Sequence, residues 1–290
     1  MKKIIIFGGY GFIGSHLYNK LKNKYIVLRF TSIKSKRNKI NYNYKNFSNI
    51  IKNNKPDIIF FLSGTSYPDY KNKNHIVDLR KTNLILQTLL SALTKNDFKG
   101  KVFYFSSIGV YGSNKSNKVT EENLTKPESF YALAKVLAEK QCKYFIDNYG
   151  LKINILRICS IFGPNLKRQI IYKIIKENKN NKDTIKLLGG PADKREFLFI
   201  YDLVEIIDKL ILSKAEQEIL NIGSNKQYLI IDVIKKVQKI TKKSKKIIFM
   251  SKIKTPKLPL LDNKKLYKFI NLKKNFDLDK GLRKTILNNK

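Results

Sequence analysis

The chain begins with an apolar run, Lys3–Phe7, that stops at a cluster of glycines: Gly8, Gly9, Gly11 and Gly14. Gly9, Gly11 and Gly14 satisfy G-x-G-x-x-G, and Gly8, Gly11 and Gly14 recur every third position. A short apolar run ending in glycine reads as a buried strand. The segment Ser15–Lys24 after the cluster reads as a helix. Strand, glycine turn and helix in that order allow close approach of a pyrophosphate. The turn has no Cβ in the way, and the helix N-terminus supplies free N–H groups and partial positive charge. The loop residues Gly8, Tyr10, Gly11 and Gly14 are therefore expected to bind a dinucleotide.

A second strand is expected at Tyr25–Phe30. Dinucleotide sites for NAD usually place a carboxylate at its end to hold the ribose diol. This chain has no Asp or Glu before Asp57. It has Arg29 there, followed by Thr31, Ser32, Lys34, Lys36 and Arg37. A carboxylate would repel a 2′-phosphate and Arg29 would attract one. NADP is the expected cofactor, with NAD the alternative.

Apolar runs and helical stretches then alternate. A weak third strand is expected at Lys39–Tyr42, a helix at Phe47–Asn53, a strand at Asp57–Ser63 and a helix at Ile76–Leu93. A strand at Lys101–Ser106, a long helix at Pro127–Tyr149 and a strand at Ile153–Ile158 follow. This rhythm predicts an α/β fold, a doubly wound parallel sheet of the Rossmann type. After Gly163-Pro164 the rhythm changes. Helices are expected at Gln169–Asn178, Tyr201–Ser213 and Ile231–Thr241, with short strands at Ile185–Leu188 and Phe197–Ile200. The lysine-rich stretch from Lys242 looks less regular. Residues 1–162 should form the dinucleotide domain. Residues 163–290 should form mainly a smaller α+β substrate lobe, with segments around 195–224 returning to the core.

On the long helix, Tyr131 and Lys135 stand four apart and share a face. A phenol is a poor base at neutral pH. A nearby ammonium, with the positive nicotinamide ring of the oxidised cofactor, favours its phenolate, so Tyr131 can exchange a proton with a sugar hydroxyl or ketone as hydride moves. A hydroxyl partner is expected from the preceding strand end, where Ser106 and Ser107 lie.

With these pieces in order, the chain resembles the extended short-chain dehydrogenase/reductases, in particular the nucleotide-sugar epimerase/dehydratase group. The likeness runs nearly end to end, through GGYGFIGSHL, PDIIFFLSG, FSSIGVYG, TEENLTKPESFYALAKVLAE, LRICSIFGP, LLGGPADKREFLFIYDLVE and LNIGS. The resemblance implies that Ser107 bonds the reacting oxygen, Tyr131 is the acid/base, and Lys135 holds the nicotinamide ribose and tunes Tyr131. It implies that Phe12, Ile13, Leu62, Ser63, Gly64, Asn83 and Ser106 surround the cofactor, with Cys159 a small residue beside it. Ser160 and Arg195 would meet the substrate with Ser107 and Tyr131. It further implies a nucleotide-sugar substrate, a role in surface polysaccharide biosynthesis and a possible homodimer.

The departures narrow the chemistry. The 4,6-dehydratases resemble S-T-D-E-V-Y-G, and their acid and base positions are Ile108 and Gly109 here. Ser160 stands where many 4-epimerases carry Asn. The acidic adenine contact is missing from NYNYKNF, and only Lys254 or Lys257 could replace a late arginine. A reductase of a 4-keto nucleotide sugar using NADPH is the expected activity. An NAD-dependent 4-epimerase is the alternative, and a non-catalytic dinucleotide- or RNA-binding protein is a third possibility.

The formal charge of +37 at pH 7 raises nucleic-acid binding. Only seven of the basic residues are Arg, the lysines are spread along the chain, and Asn, Ile, Lys, Tyr and Phe all have AT-rich codons. The charge therefore predicts salt-sensitive adhesion and no specific nucleic-acid partner. Cys142 and Cys159 form neither a disulfide framework nor a metal spacing, so no metal is expected. No apolar run is long enough to span a bilayer, and a cytoplasmic location is expected. His16 is expected to pack, His75 to have no specific role, and Glu121 and Glu122 to lie in an exposed cap.

Overall fold

The computed structural model describes residues 1–33, 37–67, 76–114, 116, 118–250, 256–272 and 277–288. Lys34, Lys36, His75 and Lys254 lie outside the described residues.

The apolar runs build one parallel sheet. Its strands lie in the order Ile219–Ile222, Lys152–Ile158, Lys101–Ser107, Ile58–Phe61, Lys3–Phe7 and Ile26–Phe30. The runs are rich in Ile and Phe because both sheet faces are covered. Alternation sends neighbours to opposite sides. Ile4, Ile6, Phe60 and Phe103 enter one buried cluster. Ile5, Phe7, Ile59, Phe61 and Tyr104 enter the other. The first strand pairs with the second on one side and the third on the other. That reversal opens a crevice at the carboxyl ends of the strands, where a doubly wound sheet binds its ligand.

The helix after the glycines runs Phe12–Leu21 and the next Tyr44–Asn54. The expected strand at Lys39–Tyr42 is absent; only an isolated bridge joins Thr31 and Lys39. Asn side chains and the next helix take its backbone instead. Asn43 caps that helix by accepting from Asn46 N, and Asn46 Nδ2 donates to Asn41 O. The helix expected from Ile76 is interrupted by a π-helical turn at Arg80–Leu84 before continuing as Ile85–Lys95. The long helix begins at Phe130 rather than Pro127, because Ser129 caps it by accepting from Ala132 N at 3.2 Å. Gly150, with φ +65°, ends it.

Beyond Gly163 a three-stranded sheet joins Ser160–Phe162, Lys194–Phe199 and Gln227–Leu229. Thr184–Leu188 pairs with Lys246–Met250, so the lysine-rich tail is more regular than its composition suggests. Helix Ile200–Leu212 packs on Phe12–Leu21, and Ile219–Ile222 forms the sheet edge. Among the described residues no helix is long and apolar enough to cross a membrane.

Glu196 ties this region together. It is 3% exposed, and its carboxylate accepts from Asn225 N at 2.8 Å and Leu261 N at 3.1 Å. Burial pushes its pKa up to about 7, against the pull of those N–H groups and Lys118. The folded form therefore binds a proton more tightly than the unfolded chain between pH 4.5 and 7. The resulting stabilisation is full below pH 4.5 and is lost as pH rises through about 7. Its expected size is on the order of 3 kcal/mol. Denaturant melts from pH 4.5 to 7.5 should show a flatter pH dependence for Glu196→Gln than for wild type. Parallel curves would refute the assignment.

Candidate active site

The glycine loop is shaped by close approach. Gly8 has φ +83°, and a Cβ on Gly14 would lie 2.4 Å from Gly8 O. Gly11 precedes the helix without a side-chain cap. The first N–H groups of the helix therefore lack intrahelical partners and can meet an anion. Gly8 N and Gly9 N donate to Phe30 O at 3.0 and 3.2 Å, fastening the loop to the second strand. Leu62 N donates to Phe7 O, and Leu62, Ser63 and Gly64 leave the third strand beside Gly8. Phe12 and Ile13 lie half-buried at the helix start. These groups fit a dinucleotide pyrophosphate.

Tyr42 is a site residue that the sequence reading missed. Its hydroxyl accepts from Gly8 N at 2.9 Å, donates to Phe30 O at 3.2 Å and hydrogen-bonds Ser63. Its ring packs on Phe7 and Phe47. The available signal was a tyrosine in the stretch NYNYKNF, where an acidic contact was sought.

Strand alternation separates the two serines of FSSIG. Ser107 closes the strand and hydrogen-bonds Tyr131, while its Oγ accepts from Gly109 N at 3.1 Å. Ser106 is buried, and its hydroxyl donates to Glu139. The Ser106 hydroxyl thus supports the site from behind, on the core side of the strand. Gly109 adjoins Ser107 and Tyr131: a Cβ there would lie 3.3 Å from Ser107 Oγ and 3.8 Å from Tyr131 Cε1.

Lys135 is 6% exposed, and its Nζ donates to Phe105 O at 2.7 Å. It lies 6.0 Å from the Tyr131 ring centroid. Burial pushes Lys135 down to about 8, against the attraction of Glu139. Burial also raises the Tyr131 phenol above its ordinary value, opposed by the Ser107 hydrogen bond. Desolvation disfavours the charged phenolate here.

Asn83 sits in the π-helical turn, and its Nδ2 donates to Ala134 O at 3.0 Å, bracing the catalytic helix next to Lys135. Its buried Oδ1 has no hydrogen-bond partner among the described residues. An unpaired buried acceptor beside the crevice is open to a ligand donor.

A buried polar network backs the catalytic helix. Arg157 grips Glu139 through Nε at 3.1 Å and Nη2 at 2.6 Å. Arg157 Nη1 donates to Tyr111 Oη at 2.9 Å, and Tyr111 donates to Asn221 Oδ1 at 2.8 Å. Glu139 was legible as one helical turn beyond Lys135, on the same face. Glu121 is corrected from an exposed cap: it accepts from Asn221 N at 2.7 Å, latching a surface loop to the sheet edge.

Ser160 and Arg195 lie half-buried on adjacent strands of the lobe sheet, where Ser160 pairs with Phe197. Cys159 is buried against Glu196, Leu198 and Ser224, a packing position. Both cysteines are free and buried. His16 packs between Phe12 and Tyr201 and bonds Pro164 O at 2.9 Å. Lys257 is exposed, with its backbone N donating to Ser113 Oγ. Arg29 stands at the end of the second strand, its guanidinium 4.1 Å from the Tyr10 ring and 4.0 Å from the Tyr18 ring. Thr31 is buried and its hydroxyl accepts from Ile33 N, so of the two hydroxyls expected beside Arg29 only Ser32 is exposed.

A parallel sheet with a glycine loop, a Tyr/Lys helix and a strand-end serine defines a dinucleotide-dependent enzyme of the extended short-chain dehydrogenase/reductase type. The NAD dependent epimerase/dehydratase family matches residues 4–223, and the chain belongs to it. Its relatives include an uncharacterised UDP-glucose epimerase of Bacillus subtilis, 28% identical over 87% of this chain and 86% of that one. Another is a dTDP-4-dehydro-6-deoxyglucose reductase of Escherichia coli, 24% identical over 83% of each chain. Among solved structures, UDP-glucose 4-epimerase of Thermotoga maritima with UDP-glucose superposes with a TM-score of 0.90. It is 23% identical and the match covers 99% of this chain and 98% of that one, which shows a shared fold. The protein is an enzyme of the NAD dependent epimerase/dehydratase type.

Proposed function

We propose that the chain reduces a 4-keto group of a nucleotide-activated sugar with NADPH. The observation that carries this reading is the Arg29 guanidinium at the end of the second strand, in a fold where Tyr131 is hydrogen-bonded to Ser107. When bound, the nicotinamide supplies the hydride. Ser107 and Tyr131 hold the keto oxygen, and Tyr131 gives it a proton as the carbon is reduced. Lys135, still cationic below pH 8, stabilises the phenolate left behind. Ile108 and Gly109 offer no second acid or base, so the chemistry stays at one carbon. Arg29 at the second strand end supplies positive charge where a 2′-phosphate would sit. Ser160 and Arg195 would meet sugar and nucleotide in this reading.

The second reading is a 4-epimerase, favoured by the epimerases among the relatives and structural neighbours. There Tyr131 would take a proton and return it, with no net use of cofactor. Two measurements separate the readings. The reductase should consume NADPH with 4-keto nucleotide sugars and bind NADPH at least about tenfold more tightly than NADH. Tighter binding of NADH, with interconversion of 4-epimers and no added cofactor, would replace the first reading by the second.

A further inference from the structure

We propose that Tyr10 and Tyr18 form an aromatic clamp that makes Arg29 the determinant of cofactor choice. The proposal rests on the reading that a dinucleotide occupies the glycine loop with its adenosine end at the second strand.

Arg29 is rooted against that loop: a Cβ on Gly9 would come within 2.4 Å of Arg29 Cβ. Its Cζ lies 4.1 Å from the Tyr10 ring centroid and 4.0 Å from that of Tyr18. Tyr10 belongs to the loop itself and Tyr18 to the helix that follows, so two separate elements converge on one guanidinium. Lys22 stands 5.9 Å from the Tyr18 ring, adding positive charge. Among the described residues Arg29 makes no ion pair and its side chain no hydrogen bond.

A guanidinium held by two rings is restricted in a useful way. The π faces attract the cation and anchor it in place. Edge-on approach is how Arg recognises a phosphate through paired hydrogen bonds. The rings also fix a long side chain before the ligand arrives, which removes an ordering cost from binding. A neutral ribose hydroxyl gains little from such a group, whereas a 2′-phosphate gains both charge and fork geometry. Tyr10 and Tyr18 are positioning residues in this account, and Arg29 makes the contact.

Titration of the full-length protein with NADPH and with NADH tests this. Tyr18→Leu should weaken NADPH binding by about tenfold and change NADH binding by less than about twofold. Tyr18→Phe, which retains the ring, should keep the wild-type ratio. Tyr18→Met, another side chain without a ring, should act like Tyr18→Leu, so the test stands even if one variant fails to fold. An equal loss for both cofactors would mark the rings as ordinary packing and overturn the clamp. So would an unchanged ratio in a folded variant without the ring. If wild type prefers NADH, the NADPH reading itself falls and the clamp with it. A wild-type preference for NADPH that survives Tyr18→Leu removes the clamp alone.

Discussion

Tyr131→Phe should lower kcat by about a thousandfold, the scale of a lost general acid. Cofactor affinity should stay within about twofold of wild type, because the ring remains and only the hydroxyl is removed. Ser107 would still hydrogen-bond the keto oxygen, so substrate would bind with nothing to protonate the oxygen as hydride arrives. The loss therefore falls on kcat more than on KM. Stopped-flow turnover and cofactor titration on the same preparation separate the two effects. Near-wild-type turnover would remove Tyr131 from the chemistry.

Arg157→Met should destabilise the fold by about 3–5 kcal/mol, the range for stripping one partner from a buried ion pair. Arg157 is 4% exposed and Glu139 6%. Glu139 would be left charged in the core with only the Ser106 hydroxyl to bond it. The double variant Glu139→Leu/Arg157→Met removes both charges and should recover part of the loss. Urea denaturation of wild type, single and double variants measures this. A single variant within about 1 kcal/mol of wild type would contradict the burial argument. The pair also matters to the site, because Glu139 lies one helical turn from Lys135 and its charge acts on that ammonium.

Much of this was legible in the sequence because each signal was local. The glycine spacing, the apolar runs and the Tyr131/Lys135 pair each depend on residues close together in the chain. Their periodicity follows directly from strand and helix geometry. The missed features depend on tertiary contacts. Tyr42 reaches Gly8 across the second strand end, and Arg157 finds Glu139 from a neighbouring strand. The π turn holding Asn83 has no pattern in single-residue propensity. Ser106 and Ser107 look alike in sequence, while the strand turns the first to Glu139 in the core and the second to Tyr131.

The central claim is that hydride and proton are exchanged at one sugar carbon. The most direct measurement uses NADPH deuterated at the transferring position of the nicotinamide. The protein would be mixed with 4-keto nucleoside-diphosphate sugars and the products read by mass spectrometry and NMR. The account predicts one deuterium on one ring carbon and a solvent-derived proton on the oxygen that carbon bears. A product that has lost water, or one with deuterium at a carbon bearing no new hydroxyl, would contradict it.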